Sequence, residues 1–362
     1  MISAGFRRFR LLPAIAAVAV VCSGLPAAAA DPAGLPALSV RGVNYYPRAT
    51  PWGGMWTATP EDVWDRDMAL AASLHANTVR AFLPLSADME RAGLLAADGS
   101  PTVAYQEKIA SFLTIASRHG IRVLLCFDPS QPWLADPARW ANSVRGIAGA
   151  RRGDRRVLLW DAMNEPEDDA KWTDATRAFL RGALPLLRQA DPGRPTTVGL
   201  TWRIDRLLET GLPDVLQYHE YCPKRILFEN GWQQVAKSCA NQRKVGGDRP
   251  LLIGEFGLST ARDPEHGCAP ELVGKLGDPP GTEDDQARLF RIVLEAAEKE
   301  QVAGVMPWCL HDYPIGNPNE AHFGLVRADG TLKPAAIVLK ETYARWGKAG
   351  AANPEAGDQK SR

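Results

Sequence analysis

Short, almost continuously apolar runs alternate along the chain with longer stretches of helical period. The runs are Leu38–Pro47, Ala76–Pro84, Ile121–Pro129, Val157–Pro166, Pro195–Trp202, Val215–Cys222, Leu251–Phe256 and Gly304–Leu310. A strand covered on both faces loses the two-residue alternation, so these runs predict a parallel sheet rather than hairpins. Helices are expected from Thr59 to about His75, Ala104 to His119, Pro137 to Ala150, Lys171 to Ala190 and Glu283 to Glu300, with Lys333–Trp346 closing the series. Thr59 is placed as an N-cap, with Pro60 in the first turn and Asp62 at a favoured acidic position, while Gly120 and Asp191-Pro-Gly193 read as stops. Eight strand-helix alternations without a break in composition predict one α/β domain, a (β/α)8 barrel. An open sheet is the alternative, and it requires two of the short strands to be loops.

The run Val157-Leu-Leu-Trp-Asp-Ala-Met-Asn-Glu-Pro166 is the most informative. Pro166 has no amide donor and turns Glu165 away from helical geometry, so the strand must stop there. Asn164 and Glu165 are then presented at a C-terminal strand end, where barrels of this kind keep their chemistry. Polar residues recur at the other strand ends: Arg80, Asp128, His219 with Tyr221, Glu255 and Trp308. Closing the sheet brings them to one cavity.

Composition narrows the partner. The 362 residues carry 42 Lys plus Arg against 42 Asp plus Glu, so no bulk field favours nucleic acid or an anionic membrane, and a neutral partner is expected. Eleven Trp supply broad flat apolar faces, which suit ring-shaped ligands such as sugars. A monomer is expected. At the start of the chain, Arg7, Arg8 and Arg10 precede the apolar Leu11–Val21 and the small residues Ala27–Ala30. That order predicts a secretory signal over residues 1–30 and an exported protein. A membrane anchor, a lipid on Cys22 and twin-arginine export at Arg7-Arg8 are the alternatives. The catalytic domain is expected over 31–347, with a disordered tail over 348–362.

Five Cys follow the signal. Cys126 and Cys309 sit in apolar runs and read as buried thiols; Cys222, Cys239 and Cys268 lie in or beside two long predicted loops, Pro223–Arg249 and Ser259–Thr282. One bridge is expected, Cys239 to Cys268 first, with the loops walling the cleft. The Cys and His spacings match no zinc pattern, so neither metal nor cofactor is expected.

The chemistry follows from paired carboxyls. Retaining cleavage of a glycosidic bond needs one carboxyl that protonates the leaving oxygen and another about 5 Å away that attacks the anomeric carbon. Glu165 is expected as the acid/base, its proton kept by an aromatic neighbourhood that raises its pKa, and Glu255 as the nucleophile, kept ionised by Arg80 and Tyr221. Asn164 is placed at a sugar 2-hydroxyl and Trp308 under the reacting ring. Trp52, Trp56, Trp133 and Trp202 are expected as more distant sugar platforms. Plainer roles remain open: a structural ion pair for Arg80, a hydrogen-bonded barrel histidine for His219, a cap or turn for Asp128, packing for Trp308 and for some of the loop tryptophans.

Asn164-Glu165-Pro166, His219-Glu-Tyr221, Gly254-Glu255-Phe256-Gly257 and a Trp on the eighth strand resemble, in order and over about the whole mature chain, glycoside hydrolase family 5 or a close relative in clan A. The resemblance implies acid/base and nucleophile for Glu165 and Glu255, and substrate or nucleophile support for Arg80, Asn164, His219, Tyr221 and Trp308. Where that family carries a His near the third strand end, this chain has Phe127-Asp128, so hydrogen bonding at the reacting sugar is expected to differ. The expected activity is metal-independent hydrolysis of β-linked gluco- or manno-configured poly- or oligosaccharides. An exo-acting β-glycosidase, a transglycosylase and a carbohydrate-binding barrel without turnover are the alternatives.

Overall fold

The computed structural model describes residues 35–166, 171–201, 204–221, 224–262, 280–314 and 318–352. Eight strands lie within them: β1 (Val40–Asn44), β2 (Thr78–Leu85), β3 (Arg122–Pro129), β4 (Val157–Asn164), β5 (Thr196–Leu200), β6 (Leu216–Glu220), β7 (Leu251–Phe256) and β8 (Gly304–Val305). They pair in chain order, all parallel, and β8 returns to β1 to close a barrel. The chain is a single-domain (β/α)8 barrel, as the alternation predicts.

Helices cover the outside. Glu61–Ser73, Val103–Arg118, Pro137–Gly149, Asp174–Ala190 and Glu283–Lys299 follow β1, β2, β3, β4 and β7, and Pro334–Ala352 follows β8. The helix at Glu283 starts with a full capping box, Thr282 accepting from the Asp285 amide and Asp285 accepting from the Thr282 amide. Thr59 is not a cap: Pro60 precedes the first turn, and the Thr59 hydroxyl bonds instead to the Gly54 carbonyl. After β5 the connection is a 3₁₀ segment, Ile204–Glu209, rather than an α-helix.

Three further expectations are corrected. The segment placed as a loop at Pro223–Arg249 holds a helix, Lys224–Gly246. Its buried positions Val235, Cys239 and Gln242 keep helical spacing, and Gly246 lies so close to Leu216 that an added Cβ would stand 1.7 Å away. An apolar stripe that runs through a glutamine and a glycine carries little periodic signal. The last helix continues to Ala352, into the stretch expected as tail. Cys239 is a free buried thiol facing the Tyr218 hydroxyl, so the bridge assigned to it is not formed; Cys268 lies outside the described residues. A side chain turned into the barrel wall by its helix has no reach toward a loop. Cys126 and Cys309 are free and buried, as expected.

Candidate active site

Barrel closure gathers the polar strand residues around one guanidinium. Arg80 is fully buried and pairs in register with Asn44 on β1. Its Nε donates to Asp161 Oδ2 (3.0 Å), Nη1 to Glu255 Oε1 (2.5 Å) and Asn44 Oδ1 (3.1 Å), and Nη2 to Asn164 Oδ1 (2.7 Å). A rigid planar fork suits this task, because its donors point in fixed directions. Asp161 in turn accepts from Gln217 Nε2 (2.9 Å) and the Gly199 amide (3.1 Å). The Asn44 amide donates to the Gly254 and Met306 carbonyls, both at 2.9 Å. The scaffold under the site is therefore hydrogen-bonded across β1, β2, β4, β5, β6, β7 and the chain leaving β8.

Two carboxylates stand on this scaffold. Glu255 near the end of β7 is buried, one oxygen held by Arg80 and the other accepting from the Tyr221 hydroxyl at 2.8 Å. Glu165 follows β4 in the left-handed region, φ +47°, its amide donating to the Gly199 carbonyl at 2.7 Å. A non-glycine residue held there costs on the order of 1 kcal/mol, a strain typical of working sites. Carboxylate oxygens of the two glutamates lie within 4.8 Å of each other. His219 Nδ1 donates to Glu165 Oε1 at 2.7 Å and stands 3.6 Å from Glu255 Oε2. The ladders shift register between Asp161 and Asn164 and between Tyr218 and His219, beside these residues. Such irregularities re-aim side chains at a sheet end.

The electrostatics of Glu165 differ from the sequence expectation. Burial pushes its carboxyl up, but the His219 hydrogen bond and the charges of His219, Lys171 and Arg80 outweigh burial and hold it below the usual carboxylate range. The expected upward shift is thus corrected: a hydrogen bond to the ionised form overrides an apolar surround. Glu165, His219 and Glu255 come close enough together to suggest ion ligation. Both Glu255 oxygens are already taken, one of them by a guanidinium, which repels a cation.

An aromatic wall lines one side of the mouth. Trp308 and Trp52 lie nearly parallel, 6.1 Å between ring centroids at 14°, with the Tyr46 edge against both and Phe82 edge-on to Trp308. Trp52 leaves 40% of its surface open, whereas Trp56 leaves none. Trp56 packs on Trp64, Tyr105 and Phe112 and donates its indole N–H to the Phe82 carbonyl at 2.7 Å. It is core, and its assignment to sugar is corrected; Trp133 is equally buried, stacked under the Arg139 guanidinium. Trp202 lies outside the described residues. Asp128 is exposed at the end of β3, within electrostatic reach of Lys171, Arg80 and Asp161, and beside Pro84 of β2.

Sequence reasoning passed over four residues that the structure brings in. Asn44, Asp161 and Gln217 are buried polar groups within apolar strands, and a buried charge such as Asp161 demands partners, which is the signal that could have found it. The fourth is Glu320, whose Oε1 accepts from the Trp308 indole N–H at 3.0 Å. It sits in a loop-like stretch with no strand to mark it.

The family model for Cellulase (glycosyl hydrolase family 5) matches residues 36–286. No curated protein shows a significant match to the chain. Among solved structures, GH5_18 of Streptomyces cattleya in complex with GlcNAc is similar at 20% identity and TM-score 0.68, over 86% of this chain and 81% of that one. An exo-β-1,4-mannosidase of Opitutaceae bacterium strain TAV5 follows at 19% identity and TM-score 0.66, over 85% and 60%. A GH2 β-galacturonidase of Eisenbergiella tayi bound to galacturonate gives 20% identity and TM-score 0.60, over 84% and 51%. At such identities the structures speak for the barrel alone, but the family match runs from before β1 into the helix after β7, and with it the chain belongs to glycoside hydrolase family 5 and is a glycoside hydrolase.

Proposed function

We propose that the chain is an exported, retaining β-glycoside hydrolase acting as a monomer on β-linked gluco- or manno-configured poly- or oligosaccharides. The observation that carries the mechanism is the approach of the Glu165 and Glu255 carboxylates to within 4.8 Å. Retaining pairs stand about 5 Å apart, whereas inverting pairs need roughly 6.5–9.5 Å to admit a water. Arg80 and Tyr221 orient the Glu255 oxygens and favour the charge that attacks the anomeric carbon. As the covalent bond forms, Glu165 gives its proton to the leaving oxygen; in the second step it takes a proton from the water that releases the sugar. Asn164, held by Arg80, is placed to meet a sugar hydroxyl, and Trp308 supplies the floor. Because Glu165 must start protonated and is held below the usual range, activity is expected on the acid side, falling as pH rises through the Glu165 pKa.

Arg7, Arg8 and Arg10 before the apolar Leu11–Val21 support export. End-wise cleavage, the activity of the exo-β-1,4-mannosidase among the proteins of similar fold, is the second reading. Product chromatography after incubation with soluble β-glucan, β-mannan, xylan and xyloglucan tests both. Wild type is expected to release sugars that Glu255→Gln does not. A ladder of oligosaccharides means internal cleavage and a single small product means end-wise cleavage. Glu165→Ala is expected to lose about 10²–10⁴-fold on poor leaving groups and little on activated aryl glycosides. Near-normal turnover by Glu255→Gln removes the nucleophile assignment.

A further inference from the structure

The mechanism uses two carboxylates, yet a third belongs to the same enclosure. Glu320 lies on the segment Pro318–Ala321 that follows β8, half-buried, with Oε1 fixed by the Trp308 indole N–H at 3.0 Å. Its second oxygen has no hydrogen-bond partner among the described residues. The charges it feels most are negative: burial pushes its carboxyl up, the Trp308 bond lowers it, and Glu255 and Glu165 raise it again. The nearest guanidinium of the site, Arg80, is buried and its donors are spent on Asp161, Glu255, Asn44 and Asn164. Lys171 faces Glu165 and Asp128 instead. The side of the cavity beside the Trp308 floor is therefore acidic without a free cation among the described residues.

We propose that Glu320 is a specificity-determining residue: anchored by Trp308, it offers its free oxygen to a neutral hydrogen-bond donor on the reacting sugar and excludes sugars that carry a carboxylate. This rests on the retaining β-glycosidase reading and deepens it, naming β-hexosides as substrates and β-hexuronides as rejected. The barrel itself does not decide the matter, since a barrel of similar fold is found bound to galacturonate. Discrimination comes from an unfavourable element set against the wrong ligand as much as from contacts to the right one. A uronate brought next to Glu320 and Glu255 meets like charge in a low-dielectric cleft, where repulsion is weakly screened.

The test compares kcat/KM on a matched pair of 4-nitrophenyl glycosides, a β-hexoside and the β-hexuronide of the same configuration, at a pH above the raised range of the Glu320 carboxyl, where it is ionised and the activated leaving group needs little from Glu165. Wild type is expected to prefer the hexoside by on the order of 10³-fold. Glu320→Gln keeps an oxygen for Trp308 and removes the charge; it is expected to narrow that preference at least tenfold, with the hexoside loss falling mainly in KM. Glu320→Asp keeps the charge and shortens the reach to Trp308, so hexoside KM should rise while the hexuronide stays rejected. A merely structural role would shift both substrates together in both variants. An unchanged preference in Glu320→Gln, or wild-type turnover of hexuronide at the hexoside rate, overturns the assignment and leaves Glu165 and Glu255 in their roles. Failure of wild type to cleave any β-glycoside sinks the underlying reading, and this one with it.

Discussion

Removing the guanidinium at the centre of the site tests the structural reasoning most directly. In Arg80→Met the stem remains while the donors to Asp161, Glu255, Asn44 and Asn164 disappear. Asp161 keeps Gln217 and the Gly199 and Met163 amides, but Glu255 keeps Tyr221 alone. Taking one partner from a buried ion pair costs about 3–5 kcal/mol. Because Asp161 stays bonded, one such loss rather than two is expected, roughly 4 kcal/mol against a total stability of about 5–15 kcal/mol. With urea slopes of about 1–3 kcal/mol/M, the midpoint followed by tryptophan fluorescence should fall by roughly 1–4 M. Turnover should fall at least about 10²-fold, since the nucleophile loses its orienting charge. Arg80→Lys retains the charge but not the fork and should land between wild type and Arg80→Met in both assays. A midpoint within about 0.3 M of wild type in Arg80→Met, together with kcat/KM within about threefold, would refute the claim that this cation organises the site.

His219→Ala removes the hydrogen bond that lowers the Glu165 carboxyl, so the basic limb of the kcat/KM profile should move to higher pH; a limb that stays or moves down contradicts the acid role. The same lowered carboxyl contributes stability at pH above its unfolded value, lost as pH falls through the folded one, and the variant should lose less on acidification. Gly199→Ala places a Cβ 2.8 Å from Arg80 Nη2 and 2.9 Å from His219 Nε2, and should cost about 10²-fold in kcat/KM with the circular dichroism unchanged; retained activity would mean the neighbours give way. Glu220 is pushed up to about 7 by burial, against a hydrogen bond from Ser238, so it contributes stability that is full below its unfolded pKa and is lost as pH rises through about 7. Glu220→Gln should flatten the fall in Tm between about pH 4.5 and pH 8, and an equal slope in both proteins would deny the shift.

The barrel and the order of its polar strand ends were legible in the sequence because both are local. Burial on two faces erases the two-residue alternation, a proline stops β4 beside Glu165, and eight repeats of one pattern leave one closed arrangement. The positions of Glu165, His219, Tyr221 and Glu255 at one mouth follow from that arrangement alone, whereas Arg80, expected at a strand end, is the third residue of β2 and is buried inside the barrel. What the chain could not announce is which neighbours closure supplies. Arg80 meets Asp161, Asn44 and Glu255 from three other strands, and no spacing along the chain encodes the pairing. The sign of the Glu165 shift depends on a histidine brought across from β6, and an apolar neighbourhood read locally predicted the opposite. Trp52 and Trp56 share one loop and one composition, yet one is turned outward from a left-handed backbone and the other fills the core. Cys239 faces the barrel wall because its helix docks there, and Glu320 matters because Trp308 holds it. Periodicity assigns a side chain to a face; only the packed structure decides what stands opposite.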